Sequence, residues 1–392
     1  MREAIRNLDK PLLIISVILF VIGLIMIFSA SNISAFMRYS TSPYNFFIRQ
    51  SAFLVGSVIV SLFALPIKTT HYKNISTLAL YAIGAVLVFL LVYGTAVNDS
   101  VRWVNLGFFS ILPSQFATVI TIIFLASYYE HKKESLDNYM TVLYPIGCCV
   151  MIAGTIFFQP DFGTAVIYTL IVSSMFFLTP VAKEIRNKIL LFMVSVVLIF
   201  VLIFTTAGNS LISPRQKARF DFSDPCSAEK FYGIGNQVCN SYLAINNGGL
   251  MGVGLGNSTQ KYLYLPEAHT DFIYAITAEE IGFIGSVGLM LLYFLLLGRI
   301  IRIAKKAINL RGYLICMGTV IFLAGHILIN LGGVTGLIPL TGIPLPFMSY
   351  GGTFAVSVVM ALTFVQRVNI ENRIAEGKVQ KRKENVRKIS RF

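Results

Sequence analysis

In YLPEAHTDFIYAITAEEIGFIG at 264–285, three of the four carboxylates fall at or inside an apolar run: Asp271, Glu279 and Glu280. Pro266 can open a helix there at little cost, because its missing N–H would have had no partner. An apolar helix is expected from about Phe272, with Asp271 at its mouth. A carboxylate in hydrocarbon costs roughly 2.5–3.5 kcal/mol on insertion scales, so a chain that keeps one is expected to use it. The chemistry on offer is proton transfer, since partial desolvation raises a carboxyl pKa and makes the ionised form a better base. The alternative for Asp271 is a helix cap that accepts bonds from the first N–H groups.

Cations that could meet an anionic substrate are also present. Arg102 stands beside Trp103, the only Trp, in NDSVRWVNLG. A lone Trp suits an interfacial anchor, and the Arg beside it suits an anion. Arg215, Lys217, Arg219 and Arg49 are further candidates. In QPDFGT, Asp161 and Gly163 make a tight turn, with Asp161 either a functional group or a turn former. A divalent metal, Mg or Mn, could share the anion, but the sequence has no ligand cluster of recognisable spacing.

The elements that position these groups are membrane spans. The 392 residues are 56% hydrophobic and 13% charged, with a mean hydropathy of +0.73, and apolar runs long enough to cross ~30 Å of hydrocarbon recur. Ten spans are expected, at 11–30, 46–66, 76–96, 113–128, 140–158, 162–180, 188–207, 272–298, 313–334 and 353–368. Loops 67–75, 129–138, 181–187 and 299–312 hold the Lys/Arg clusters and read as cytoplasmic, which puts both termini inside. The net charge of +14 therefore reports topology rather than nucleic-acid binding. No cleavable signal peptide is expected. The fold class is an all-α polytopic membrane protein, one ten-helix domain over 1–368. Residues 369–392, with eight Lys/Arg against three Glu and no hydrophobic period, read as a solvated basic cytoplasmic tail rather than a folded one. An inverted repeat of the transporter kind is not evident.

Three segments break the pattern, all on the outer face: 97–112, 208–271 and 335–352. Loop 208–271 is the longest connection and carries NNGGLMGVGLGNSTQK. Its glycines allow close backbone approach to a ligand or a membrane surface, but the run lacks a phosphate-loop ending. Cys226 and Cys239 both fall in this loop and could pair if it faces an oxidising exterior. Segment 335–352, TGLIPLTGIPLPFMSYGG, cannot be a regular helix. Irregular backbone at membrane depth must be buried by protein or line a wet cavity, so a re-entrant segment is expected.

With these motifs in view, the chain resembles the SEDS family, the FtsW/RodA/SpoVE proteins of bacterial cell-wall synthesis, over nearly its whole length. The resemblance rests on RW in the second outer loop, QPDFGTA, GLGNSTQKYLYLPEAHTDFIYAITAEEIGFIG and GLIPLTGIPLPFMSYGG. Ala268 after Pro266-Glu267 leans towards the FtsW branch. The resemblance implies a peptidoglycan glycosyltransferase in the bacterial cytoplasmic membrane. It would polymerise lipid II at the outer face by inverting transfer, with Asp271 as general base. A lipid II flippase and a scaffold of the cell-wall machinery are the competing readings. The residues expected at the substrate are Arg102, Trp103, Asp161, Arg219, Glu267, His269, Thr270, Glu279 and Ser349. Implied partners are a class B penicillin-binding protein and other divisome or elongasome membrane proteins. One departure stands out: the family commonly has a Glu and a Lys where this chain has Gln115 and Thr118. Joint loss of an ion pair is tolerable because neither charge is left alone.

Overall fold

The computed structural model describes residues 2–94, 102–105, 107, 110–191, 224–227, 235–262 and 264–389. The helices are α1 Arg2–Arg6, α2 Lys10–Met37, α3 Asn45–Ala64, α4 Tyr72–Tyr93, α5 Pro113–His131 and α6 Tyr139–Phe158. They continue with α7 Phe162–Leu178, α8 Gly235–Gly248, α9 Ile273–Lys305, α10 Leu310–Val334 and α11 Gly352–Ile389. One short antiparallel pair, β1 (Val104–Asn105) and β2 (Ser110–Ile111), sits before α5. Seven of the described helices are long and apolar enough to cross a membrane, and α7 is a shorter apolar helix. The expected span at 188–207 lies outside the described residues beyond 191, as do Arg215, Lys217 and Arg219.

The most enclosed spans are α10 and α11, while α3 and α4 leave most of their surface open. Packing of α10 against α5, α7, α9 and α11 makes it the centre of the bundle. Two helices differ from expectation. The run expected at 272–298 is α9, which extends to Lys305 and is broken inside at Gly282 (φ 68°, ψ −172°), a conformation essentially restricted to glycine. The break exposes backbone groups, and residues 249–254 pair with them. The N–H groups of Val253 and Gly254 donate to the carbonyls of Glu279 (2.9 Å) and Glu280 (3.0 Å). Those of Phe283 and Ile284 donate back to Gly249 (2.9 Å) and Leu250 (3.2 Å). The glycine run thus approaches this chain's own helix. Loop 208–271 is also partly helical, through α8, and Cys226 and Cys239 are disulfide-bonded.

Two buried acids fasten the same junction. Glu279 accepts from the Ser258 hydroxyl, from the Thr259 N–H (3.1 Å) and hydroxyl (2.8 Å), and from Asn247 Nδ2 (3.3 Å). Glu280 pairs with the equally buried Lys261 at 3.3 Å and accepts from Ser29 Oγ of α2 at 2.5 Å. Lys261 Nζ also donates to the Gly256 carbonyl at 2.5 Å.

At the opposite end of the bundle, Asp9 caps α2 through the Leu12 N–H (2.9 Å) and takes both Nε (2.9 Å) and Nη2 (2.6 Å) of Arg299. Its own peptide N–H and carbonyl pair with the Gln366 amide at 2.8 and 3.0 Å. This cluster corrects the expectation of an unfolded tail after residue 368, because α11 continues to Ile389. Asn369 donates to the Asn7 carbonyl (3.0 Å), Asn372 to that of Ile303 (3.4 Å), and Ile370 packs with Ala4 and Leu65. The absence of a hydrophobic period misled, since partners of the first extra turns hold the helix and good helix formers carry it on.

The Gly252–Gly282 contact makes a graded prediction. Gly256 has a positive φ but open space around its missing Cβ, so Gly256→Ala should cost only the left-handed penalty of roughly 1–2 kcal/mol. Gly252→Ala adds a Cβ 2.2 Å from the Glu280 carbonyl oxygen and should lower the unfolding temperature considerably more. Equal shifts for the two variants in detergent would show that the close approach does not matter.

Candidate active site

Asp271 sits one residue before Phe272, the N-cap residue of α9. It is half-buried in a shallow crevice with Asn330 of α10 and with Leu340, Thr341, Gly342 and Ile343 of the irregular segment. That segment is non-helical as expected, and much of 343–349 is buried by protein. It approaches so closely that a Cβ on Gly342 would lie 3.1 Å from Asp271 Oδ2.

Three successive carbonyls hold Asp271 in place. The His269 carbonyl accepts from the Tyr350 N–H at 2.9 Å. That of Thr270 accepts from Ser349 Oγ at 2.6 Å, and Ser349 Oγ in turn accepts from the Leu345 N–H at 2.7 Å. The Asp271 carbonyl accepts from Asn330 Nδ2 at 2.8 Å, and the same amide donates to the Ile343 carbonyl at 2.7 Å. Buried backbone acceptors are thereby paired, and these contacts set residue 271 against 341–343.

The QPDFGT turn meets the same segment from the other side. Gly163 packs on Ile343 and Thr341 so tightly that a Cβ would stand 2.7 Å from Ile343 Cγ1. Beside it, Asp161 pairs with Arg102 Nη1 at 3.4 Å and accepts from Ser114 Oγ at 3.3 Å. Arg102 keeps a third of its side chain exposed, so a cation remains open at this edge. Trp103 next to it is 37% exposed.

Of the expected site residues, Asp271 lies against 341–343, while Asp161, paired with Arg102, stands two residues before Gly163, which packs on the same segment. Glu267 turns the chain with φ 56° and accepts from the Thr270 hydroxyl at 3.0 Å. His269 is buried between the rings of Phe46 (4.5 Å) and Tyr350 (5.7 Å), and its Nδ1 has no hydrogen-bond partner. Ser349 serves as the bridge between the two segments. Glu279 lies apart, fully buried, with its oxygens engaged by 258–260 and Asn247. Gln115 and Thr118 are both buried in α5. Thr118 donates to the Ser114 carbonyl, and Gln115 Oε1 has no partner. Among the described residues no group of three or more His, Cys, Asp or Glu side chains could hold a metal ion.

Asn330 and Lys261 escaped the sequence reading. The signal for Asn330 was a lone amide in an apolar span. The signal for Lys261 was a single cation ahead of an apolar run, nineteen residues before the acid it neutralises.

Comparison with known proteins agrees with this architecture. The family model for cell cycle proteins of the FtsW/RodA/SpoVE type matches residues 10–374. A relative from Bacillus subtilis (strain 168), named a probable peptidoglycan glycosyltransferase FtsW, is 35% identical over 386 residues, covering 97% of this chain and 95% of that protein. Stage V sporulation protein E of the same organism is 35% identical over 365 residues, covering 92% and 96%. Among solved structures, one described as the structural coordination of polymerization and crosslinking by a peptidoglycan synthase complex has TM-score 0.72 at 23% identity, covering 93% of this chain and 98% of that one. The Thermus thermophilus rod shape determining protein RodA has TM-score 0.64 at 22% identity, covering 93% and 97%. The apolar helices, the shared fold and the family match identify a multi-pass membrane protein, and the chain belongs to the FtsW/RodA/SpoVE family of cell cycle proteins.

Proposed function

We propose that this chain is a peptidoglycan glycosyltransferase that polymerises lipid II at the outer face of the cytoplasmic membrane. The observation that carries the reading is the carboxylate of Asp271 at the head of a span, fixed through three backbone carbonyls against the re-entrant segment. Transfer joins the acceptor sugar's 4-hydroxyl oxygen to C1 of the donor. The C1–O bond to pyrophosphate breaks with its electron pair, and the hydroxyl proton passes to Asp271. A single displacement inverts C1, in keeping with one base and no second carboxylate placed as nucleophile. Arg102, partly exposed beside Asp161, is suited to the pyrophosphate charge, and Mg or Mn could share that load.

The Lys/Arg-rich loops favour both termini in the cytoplasm, with the Asp271 end outside. The likeness to a chain in a peptidoglycan synthase complex supports a cross-linking partner of the class B penicillin-binding type. A flippase would need no base and would depend on a transmembrane gradient.

Asp271→Asn preserves shape and should leave a folded, inserted protein. With the base gone, polymer formed from lipid II on a gel should fall by about 10²–10⁴-fold. Wild-type polymer from this variant would remove Asp271 from the chemistry. If Asp271 is only a cap, Asp271→Ala should cost ~1 kcal/mol of stability and leave turnover per folded molecule unchanged.

His269 gives the site a pH limit. Burial, the largest effect, pushes its imidazole down to about 4, with Glu267 opposing and Arg38 reinforcing. Above the unfolded value of ~6.5 the ring is neutral in both states and contributes nothing. As pH falls from there towards about 4, only the unfolded chain takes the proton, and stability drops by up to ~3 kcal/mol before levelling. Thermal unfolding against pH should show a steeper loss in the wild type than in His269→Phe. Parallel curves would exclude His269 as its source.

A further inference from the structure

Residues 249–256 carry an apolar surface that the proposed chemistry does not use. Met251 is 78% exposed, Leu250 70% and Leu255 60%, and no charged residue occurs between Gly248 and Lys261. The level of this loop relative to the bilayer can be read from two helices independently. On α9, Arg299 pairs with Asp9 at the far headgroup level, and ~30 Å of hydrocarbon at 1.5 Å per residue takes about 20 residues back towards Glu279. On α2, the same distance from Lys10 reaches about Ala30. The two estimates meet, since Ser29 and Glu280 are hydrogen-bonded to each other. The loop bonds to Glu279, Glu280, Phe283 and Ile284, so it lies at and just beneath the hydrocarbon boundary on the Asp271 side.

We propose that residues 249–256 form a membrane-inserted re-entrant loop whose Leu250, Met251 and Leu255 side chains contact bilayer acyl chains of the leaflet on the Asp271 side. The connection between α8 and α9 is then not wholly aqueous. Irregular backbone tolerates that depth only when its polar groups are paired, and the broken helix supplies the pairing. The exposed side chains of Phe283, Ile284, Val287 and Leu291 continue the patch down α9, so loop and span present one lipid-facing surface. The inference uses the membrane class of the protein and does not depend on the transferase reading.

The test places a cysteine at Met251 or Leu255 of the full chain, labels it with an environment-sensitive fluorophore and reconstitutes the protein in phosphatidylethanolamine–phosphatidylglycerol vesicles. Cys148, Cys149 and Cys316 are buried and Cys226 is bonded to Cys239, so the added thiol reacts selectively. Leu291→Cys serves as the lipid reference and Lys306→Cys as the aqueous one. Nitroxide-bearing lipids should quench both loop positions about as strongly as position 291, and iodide on both sides of the vesicle should quench them as weakly. Iodide quenching at the level of position 306 would overturn the proposal by placing the loop in water. Protection from both quenchers would overturn it by showing that protein covers the patch. Two loop positions keep the test available if one variant fails to insert.

Discussion

A helix broken inside a membrane leaves N–H and C=O groups that no lipid can satisfy, and this chain breaks α9 at Gly282. Much of the Asp271 end follows from how that debt is met. The run 249–254 lies along the break and exchanges four backbone hydrogen bonds with residues 279, 280, 283 and 284. Backbones come that close only because neither Gly252 nor Gly282 has a side chain. Once the run is fixed, residues 258–261 are in position to enclose the two acids. The short path from Lys261 to Asp271 then brings the HTDF motif to the mouth of α9.

The acids at the break and the acid at the mouth sit in different surroundings. Glu279 and Glu280 are buried and matched by hydroxyls, peptide N–H groups and the Lys261 ammonium. Removing one member of such a buried pair costs about 3–5 kcal/mol, because the other is left charged without compensation. Asp271 is held instead through its peptide carbonyl by Asn330, and its neighbours through Ser349 and Tyr350. A rigid backbone with a half-buried carboxylate is what a positioned base requires. The same amide of Asn330 binds the Ile343 carbonyl, so one side chain ties residue 271 to the irregular segment.

Hydropathy made the spans legible, and the clustered prolines and glycines of 335–352 announced an irregular segment, because no regular helix accommodates them. The grouping of Asp271, Asp161 and Arg102 was legible only as shared motifs. The contacts of Asp271 and of Gly163 in the QPDFGT turn with 341–343 are tertiary and have no local signature. The break at Gly282 was hidden for a related reason. A single glycine in an apolar run usually remains helical, and what stabilises the break lies some thirty residues earlier in the chain. Glu279 was read as a substrate residue on the general rule for intramembrane acids. Its hydroxyl partners Ser258 and Thr259 are ordinary loop residues until the fold brings them together. Beyond residue 368 the sequence has no amphipathic period, yet contacts from Asn7 and Ile303 keep α11 going.

The cluster around Asp9 also has a dimension in time. Arg299 is made 290 residues after Asp9, and Gln366 357 residues after it. At about 5–20 residues per second, that delay is some 20–70 s. Throughout it, Asp9 has only its local bond to the Leu12 N–H and whatever water and headgroups provide. Helix α2 therefore enters the bilayer with an end that its own sequence cannot finish. Closure of the bundle at that end waits until α11 has been made and Gln366 reaches Asp9.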